Sequence, residues 1–186
     1  MSKTNLSAYN NQWFDPGAGK LKRLCWYVVN AVVFRSYLVP VSSVKRALLK
    51  AFGARIGQSV VIKPQVNIKY PWLLSIGDHS WIGENVWIDN LVQVTIGANC
   101  CLSQGAFLLT GNHDYTSPTF ELMVRPIILE EGAWIGAQAL VCPGVTCASH
   151  SVLTAKSVAT KNLFPYMIYQ GNPAVPVKER IIPGQP

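Results

Sequence analysis

The chain has 186 residues, a formal net charge of +7 and a hydrophobic residue content of 49%. This composition excludes a disordered chain and indicates one folded domain with a terminal appendage. No stretch approaches the ~18–20 apolar residues that a membrane-spanning helix needs, and residues 1–12 lack the apolar core of a secretory signal, so we expect a cytoplasmic protein.

Residues 1–55 carry the net positive charge. They hold nine Lys or Arg and one acid, whereas residues 56–186 hold seven Lys or Arg and eight acids. The pattern predicts an extended arm and then two short helices, at 20–38 and 42–53, separated by Pro40. Ser42 or Ser43 is the expected N-cap of the second helix, and Gly53 its terminator.

The two predicted helices interleave aromatic and basic residues. The set consists of Trp26, Tyr27, Phe34 and Tyr37 with Lys20, Lys22, Arg23, Arg35, Lys45, Arg46 and Lys50. Such a pattern is typical of interfacial helices that bind anionic lipid, so residues 20–52 could contact a membrane surface peripherally. The interpretation that we favour is that the helices cap the end of the repeat that follows. No base-reading motif accompanies the charge, so nucleic acid is not an expected partner.

A period of six residues begins at Ile56 and dominates the rest of the chain. Each unit starts with an aliphatic residue, and fifteen units can be aligned. They start at Ile56, Ile62, Ile68, Ile76, Ile82, Ile88, Ile96, Leu102, Leu108, Leu129, Ile135, Val141, Cys147, Leu153 and Ala159. Three six-residue strands close one triangular coil, and every sixth side chain then enters the same interior column. The sequence therefore predicts an all-β solenoid over residues 56–169.

Two further positions of each unit support the solenoid. The residue after the anchor is often glycine, as expected for a tight corner. The residue four places after the anchor is small because it also points inward. These small residues are Ser80, Cys100, Ala106, Ala133, Ala139, Ser151 and Ser157. Neither the two-residue period of a strand nor the 3.6-residue period of a helix fits this pattern.

Two extra residues shift the register at residues 74–75 and again at 94–95, and the one long interruption follows directly after His113. The interruption reads DYTSPTFELMVRP, so we expect a protruding loop at about 113–127. Loops that leave a rigid scaffold are common carriers of binding and catalytic groups. His79 and His150 instead occupy outward positions of regular units, and we interpret them as surface residues. His113 is therefore the candidate general base.

The remaining features are a C-terminal tail and five cysteines. Residues 170–186 are punctuated by Pro and Gly and should fold back over the last coils. The cysteines contain no CxxC pair and no His at zinc-finger spacing. We interpret them as small buried residues in a reducing compartment, and we expect no metal site.

Several motifs resemble the hexapeptide-repeat acyltransferases, whose fold is a left-handed parallel β-helix. The similarity is greatest to the colanic acid biosynthesis acetyltransferase-like group. It lies in NQWFDPG, FGARIG, IKYPW, IGDHSWIGENVWIDNL, SQGAFLLTGNHDY, GAWIGAQALVCPGVT and GNPA, which together cover nearly the whole chain. The resemblance implies an acetyltransferase that uses acetyl-CoA, a sugar hydroxyl as acceptor, and a homotrimer with active sites between subunits.

The resemblance also implies roles for individual residues. His113 matches the catalytic histidine, and Asp89 is the expected partner that orients the histidine of a neighbouring subunit. Asp114, Asn90 or a backbone carbonyl could serve instead. Asn90, Asn112 and Asp114 are the expected acceptor-binding residues. The expected acetyl-CoA contacts are Trp134, the Ala137 N–H as oxyanion donor, Ala155, Lys156, Thr160, Lys161 and Lys178. Lys156 stands where the family usually has glycine, and we expect it to project into the CoA groove.

Other functions of the same fold must be weighed. A γ-type carbonic anhydrase binds zinc through three histidines, two of them five residues apart, and this chain has no such pair. A non-catalytic scaffold would have no need of a histidine beside the interruption. Serine O-acetyltransferase carries a large N-terminal helical domain, and residues 1–55 are too short for one.

Overall fold

A computed structural model describes residues 3–184 of the protein. The predicted segments 1–55 and 170–186 thus extend beyond the described residues at their outer ends. The N-terminal region contains a 3₁₀ turn at Leu6–Ala8, helix α1 at Lys20–Val29, a π-helical turn at Asn30–Phe34 and helix α2 at Ser42–Ala51. A second 3₁₀ turn, Pro71–Leu73, lies within the solenoid.

Short strands make up the rest of the described chain. In chain order they are β1 Arg55–Ile56, β2 Val61–Ile62, β3 Asn67–Ile68, β4 Leu74–Ile76, β5 Trp81–Ile82, β6 Trp87–Asp89, β7 Val94–Ile96, β8 Cys101–Leu102, β9 Phe107–Leu109, β10 Gly111–His113, β11 Leu122–Val124, β12 Ile127–Leu129, β13 Trp134–Ile135, β14 Leu140–Val141, β15 Thr146–Cys147, β16 Val152–Leu153, β17 Val158–Ala159, β18 Met167–Gly171 and β19 Ala174–Glu179.

The strands form a three-faced parallel solenoid. Face one has the order β1-β4-β7-β12-β15, face two has β2-β5-β8-β13-β16-β18-β19, and face three has β3-β6-β9-β14-β17. The chain passes from face one to face two at the first corner, from two to three at the second, and from three back to one at the third. The predicted all-β solenoid is confirmed.

The interior is the aliphatic ladder that the period predicts. All fifteen anchor residues are buried, and so are the small residues four places after them. The corner glycines are required by close stacking rather than by a left-handed backbone. A Cβ added to Gly77 would lie 2.5 Å from the Ala98 nitrogen, and one added to Gly136 would lie 2.5 Å from the Ala155 nitrogen. Each coil therefore rests on backbone of the next coil at these corners.

The N-terminal helices cap the first coil by occupying its open hydrogen-bonding groups. Trp26 Nε1 donates to the Ile68 carbonyl at 2.8 Å, and Asn30 Oδ1 accepts from the Ile68 N–H at 3.3 Å. Arg46 donates to the Val60 carbonyl at 2.8 Å, and Lys45 Nζ donates to the Lys63 carbonyl at 2.8 Å. An exposed parallel edge would otherwise leave these groups unpaired, which explains why the solenoid begins with helices.

Three predictions for these helices were wrong. The first helix is α-helical only to Val29, because Asn30 and Phe34 turn inward onto the first coil. The N-cap of α2 is Val41, since the Ser42 hydroxyl is engaged with the backbone of Ile62. Four residues predicted to face lipid have other surroundings: Trp26, Phe34 and Lys45 are buried, and Arg46 is bonded to the first coil.

Both ends of the described chain are tied to the solenoid. The arm before α1 is held at the Pro118 carbonyl, which accepts from the Asn5 N–H at 2.8 Å, and at Trp72, whose Nε1 donates to the Pro16 carbonyl at 2.7 Å. At the other end β19 runs antiparallel to β18 and extends face two. The arm therefore crosses the third corner, where the repeat is interrupted.

Candidate active site

The interruption of the repeat is a β-hairpin that projects from the third corner. Strand β10 pairs with β11 in antiparallel register, with Gly111 opposite Val124 and His113 opposite Leu122. At the turn, Asp114 Oδ1 accepts from the Thr116 N–H and hydroxyl at 2.8 and 2.6 Å. These bonds lower the pKa of the Asp114 carboxyl. His113 thus sits on an ordered strand end rather than in a free loop.

The His113 imidazole is fixed from two sides. Its ring stacks on Phe120, with 4.4 Å between centroids and 9° between planes, and Tyr9 of the arm lies 5.8 Å away. His113 Nδ1 is 2.9 Å from the Phe120 carbonyl oxygen. Because a carbonyl can only accept, the neutral imidazole must carry its proton on Nδ1. The Nε2 lone pair is then free to take a proton.

His113 lines a cleft of about 1060 Å³. Asp89 lines this cleft at the third corner and is 8% exposed. Its Oδ1 lies 2.9 Å from Lys69 Nζ, and the two form an ion pair. Within one chain the group that orients His113 is thus the Phe120 carbonyl, one of the alternatives open at the sequence level, while Asp89 shares the cleft.

The other predicted acceptor-binding residues have different surroundings. Asn90 is fully buried, its Oδ1 accepts from the Tyr70 N–H at 3.0 Å, and its Nδ2 donates to the carbonyls of Tyr70 and Leu73. The amide of Asn90 thus holds this turn, and a contact between Asn90 and the acceptor stays a prediction. Asn112 is exposed in the cleft, and its Oδ1 accepts from the His113 N–H. Asp114 serves the hairpin turn.

The predicted acetyl-CoA contacts lie mainly along the second corner and face two. Ala137 and Ala155 are stacked at the second corner of successive coils, with Lys156 following at φ +57°. The Ala137 carbonyl accepts from the Lys156 N–H at 2.9 Å, whereas the Ala137 N–H has no acceptor among residues 3–184. Trp134 lies on face two, is 44% exposed, and donates from Nε1 to the Ser103 hydroxyl at 2.9 Å.

The remaining predicted contacts are exposed near the end of the solenoid. Lys178 lies on β19 of face two, beside Ile168 of β18. Thr160 and Lys161 follow β17 and therefore lie at the third corner of the last complete coil. They share an edge with His113 but not with Ala137 or Ala155.

A single chain does not bring the predicted base and the predicted oxyanion donor together. His113 leaves the third corner, whereas Ala137 is at the second corner, and face three separates these two edges. The cleft that holds His113 contains none of the predicted acetyl-CoA contacts. Within one chain, therefore, the predicted base and the predicted oxyanion donor lie on different edges of the solenoid.

Several cleft residues were not predicted as site residues. Tyr9, Phe14 and Gln12 come from the arm, and Lys20 and Arg23 come from the first turn of α1. The basic cluster was visible in the sequence, but its position beside His113 depends on how the arm crosses the third corner. The arm precedes the six-residue repeat, so the repeat does not indicate its path.

The two buried thiols, Cys100 and Cys147, are not placed as nucleophiles. Burial raises the pKa of Cys100 to about 11 and also raises the pKa of Cys147. A protonated buried thiol is a poor attacking group. No group of three or more His, Cys, Asp or Glu side chains in residues 3–184 is arranged to hold a metal ion. His79 is exposed at the first corner, and His150 stacks against Tyr166.

Named proteins are similar in sequence to most of the chain. A protein of Escherichia coli K12 that is named as a colanic acid biosynthesis acetyltransferase, WcaF, is 38% identical over 165 residues, which cover 89% of this chain and 91% of the relative. The galactoside O-acetyltransferase of the same organism is 29% identical over 138 residues, 73% of this chain and 68% of its own length. No family model matches the chain.

Solved structures share the fold. A hexapeptide-repeat acetyltransferase from Vibrio cholerae, complexed with acetyl coenzyme A, superimposes with a TM-score of 0.81 at 22% identity and covers 91% of this chain and 93% of its own. A galactoside acetyltransferase in complex with coenzyme A gives a TM-score of 0.76 at 26% identity, with 87% and 82% coverage. The predicted left-handed β-helix is confirmed. No helix in residues 3–184 is long and apolar enough to cross a membrane.

Proposed function

The chain belongs to the hexapeptide-repeat acetyltransferases, in the group named for colanic acid biosynthesis, and from that premise we propose that it transfers acetyl from acetyl-CoA to a hydroxyl of a sugar or polysaccharide precursor. The observation that carries the proposal is His113, which lines an open cleft and whose Nδ1 is held by a carbonyl, so that Nε2 is the nitrogen left to take a proton. The named relatives include enzymes that acetylate hydroxyl groups.

In the proposed reaction His113 Nε2 removes the proton from the acceptor hydroxyl as its oxygen attacks the thioester carbonyl. The oxyanion that forms is stabilised by the Ala137 N–H, which has no acceptor of its own among the described residues. The C–S bond then breaks, and the CoA sulfur leaves with the proton that the imidazolium returns. Acetyl passes directly to the acceptor, and no group of the protein is acetylated.

A homotrimer would supply the second copy that the geometry requires. Cyclic association of three prisms can place the second corner of one chain against the third corner of its neighbour at each of three equivalent interfaces. Each interface would then contain one His113 and one set of Ala137, Ala155 and Lys156. The separation of the two half-sites and the resemblance to the family both support the proposed trimer.

The test is acceptor-dependent release of CoA from acetyl-CoA by the purified protein, measured over a panel of sugars and lipid-linked saccharides. His113→Ala should reduce the rate by ~10²-fold or more, since general base catalysis contributes about that factor. His79→Ala is the matched control, because His79 is exposed on a regular coil at another corner. A rate that His113→Ala leaves unchanged would remove this residue from the mechanism.

We also propose that α1 attaches the protein peripherally to an anionic membrane surface. Leu21, Leu24, Val28 and Val32 follow one another at helical spacing, and each is between 51% and 75% exposed. The N-terminal region around them has nine cations and one acid. The proposed lipid-binding face therefore consists of these aliphatic residues. It differs from the aromatic set expected from sequence, of which Trp26 and Phe34 are buried.

Co-sedimentation with phosphatidylcholine vesicles, with and without phosphatidylglycerol, tests the attachment. Binding should require the anionic lipid and should be lost when Leu24→Gln and Val28→Gln are combined. Ile181→Gln is the matched control, since Ile181 is 84% exposed on the C-terminal tail. Equal binding by both variants, or none to anionic vesicles at low salt, would contradict the attachment.

A further inference from the structure

A second cleft, of about 380 Å³, continues the His113 cleft toward the start of the solenoid. The two share a wall made of Arg23, Lys69, Tyr70 and Asp89. The first cleft adds Lys20 beside this wall, and the second adds Arg35. A continuous groove thus runs from the proposed base past a row of cationic side chains.

The charges along this groove are not balanced within the described chain. Asp89 is the only acid that lines either cleft, and it is already paired with Lys69 in the single ion pair found in residues 3–184. Lys20, Arg23 and Arg35 therefore have no carboxylate of residues 3–184 within ion-pair distance. A groove lined by one sign of charge with low-dielectric walls concentrates ions of the opposite sign.

Arg23 is the cation best placed to bind a ligand in this groove. It lines both clefts, and among residues 3–184 no carboxylate forms an ion pair with it. The first turn of α1 also lacks acids and a side-chain cap, and an anion there would offset the positive end of the helix dipole.

The position of the groove along the solenoid separates it from the proposed acetyl-CoA contacts. Lys69 is in the first coil and Asp89 in the second, whereas Ala137 and Ala155 are in the fourth and fifth. His113 projects after the third coil, between the two groups. The cationic groove therefore extends from the base in the acceptor direction, away from the residues assigned to acetyl-CoA.

We propose that Lys20, Arg23 and Lys69 bind a phosphate or diphosphate group carried by the sugar acceptor. The inference rests on the proposed acetyl transfer, because it identifies the groove as the acceptor side of that site. Arginine forms paired hydrogen bonds with phosphate oxygens, and lysines add point charges. The tyrosines and Trp87 that line the same groove provide surfaces on which a sugar ring can pack.

Equilibrium binding to the full chain, with inorganic pyrophosphate as the probe, tests this subsite without relying on catalysis. Arg23→Gln should weaken pyrophosphate binding about tenfold or more, as expected for loss of a charge-assisted hydrogen bond. The affinity for acetyl-CoA should be unchanged. Lys50→Gln is the matched control, because Lys50 is an exposed cation of the same N-terminal region that lines neither cleft.

Three results would overturn the proposal. They are no pyrophosphate binding by the wild type at 150 mM salt, equal affinity in wild type and Arg23→Gln, and a loss of acetyl-CoA affinity in Arg23→Gln that matches the loss for pyrophosphate. The last result would assign the cations to the phosphates of coenzyme A instead.

A competition experiment distinguishes two sources of the phosphate group. Uridine diphosphate represents a nucleotide sugar, and a short polyprenyl diphosphate in detergent micelles represents a lipid-linked saccharide. The one that displaces pyrophosphate at lower concentration, in an Arg23-dependent manner, identifies the source. Acetyl transfer is measured separately, by release of CoA. Diphosphate binding without acetyl transfer would contradict the proposed function and leave only an anion site, whereas acetyl transfer without diphosphate binding would contradict this inference alone.

Discussion

The carbonyl that holds His113 belongs to Phe120, a residue with a left-handed backbone, φ +55°. An aromatic residue in this region costs about 1 kcal/mol or more, so the surrounding hairpin must hold it there. The Phe120 N–H donates to Ser117, and its ring packs on the imidazole. In this conformation the Phe120 carbonyl fixes the tautomer of the proposed base, and the Phe120 ring fixes the plane of its imidazole.

Asp89 is the residue whose role is best tested by a conservative substitution. Its carboxylate lines the same cleft as His113 and pairs with Lys69. We expect kcat/KM to fall about tenfold in Asp89→Asn, because the charge-assisted contact with Lys69 in this cleft is lost. The control is Asp78→Asn, which removes a carboxylate of the same coil at the first corner. An unchanged kcat/KM would show that the pair of Asp89 and Lys69 is not used in the reaction.

Sequence patterns were informative for some of these residues and not for others. His113 could be predicted because it ends the regular repeat, a position with a physical reason to differ. Asn90 resembled an exposed corner residue, yet it is buried because Pro71–Leu73 forms an inserted turn that needs its amide. The partner of His113 could not be predicted, since a backbone carbonyl seven residues later has no side-chain signature.

At the scale of single elements, the corners of the coils should be the points least tolerant of added volume. Gly77→Ala should lower the free energy of unfolding by about 2–3 kcal/mol, because a Cβ there meets backbone that cannot move away. In Gly19→Ala the added Cβ meets nothing within 4 Å, and the loss should stay under about 1 kcal/mol. Chemical denaturation measures both. Equal losses would show that coil stacking does not require glycine.

The arm is a second element with a separable effect. It contributes no residue to the buried core, which begins at Trp26, but it forms one wall of the cleft through Tyr9 and Phe14. Removal of residues 1–17 should change the melting temperature by no more than a few degrees and should raise the KM for the acceptor about tenfold. A KM that does not change would show that this wall is not used.

The repeat and the arm also differ in how far they could be predicted. Each coil repeats the same burial pattern, so all fifteen anchors indicate the same geometry. One misassigned repeat unit would not change the predicted fold. The helices were predicted as elements, but their faces were misassigned because Trp26 and Phe34 pack on a coil edge that the repeat alone does not reveal. The arm is held by hydrogen bonds that include those donated by Asn5 and Trp72. No periodic pattern in the sequence indicates these contacts.

At the scale of the whole molecule, the central claim is that His113 of one chain acts on acetyl-CoA held by another. The two half-sites lie on different edges of one prism, and face three lies between them. Neither half-site can be completed by a movement of the hairpin alone, because strands β10 and β11 are anchored at the third corner. The proposed mechanism therefore requires assembly.

Subunit mixing tests this claim most directly. His113→Ala removes the base, and Ala155→Trp places bulk at the exposed second corner; each variant alone should be nearly inactive. Co-refolded in equal amounts, random trimers that contain both variants have one intact interface each, so about a quarter of wild-type acetyl transfer should return. No recovery, with mixed trimers shown by mass spectrometry, would contradict a site shared between subunits.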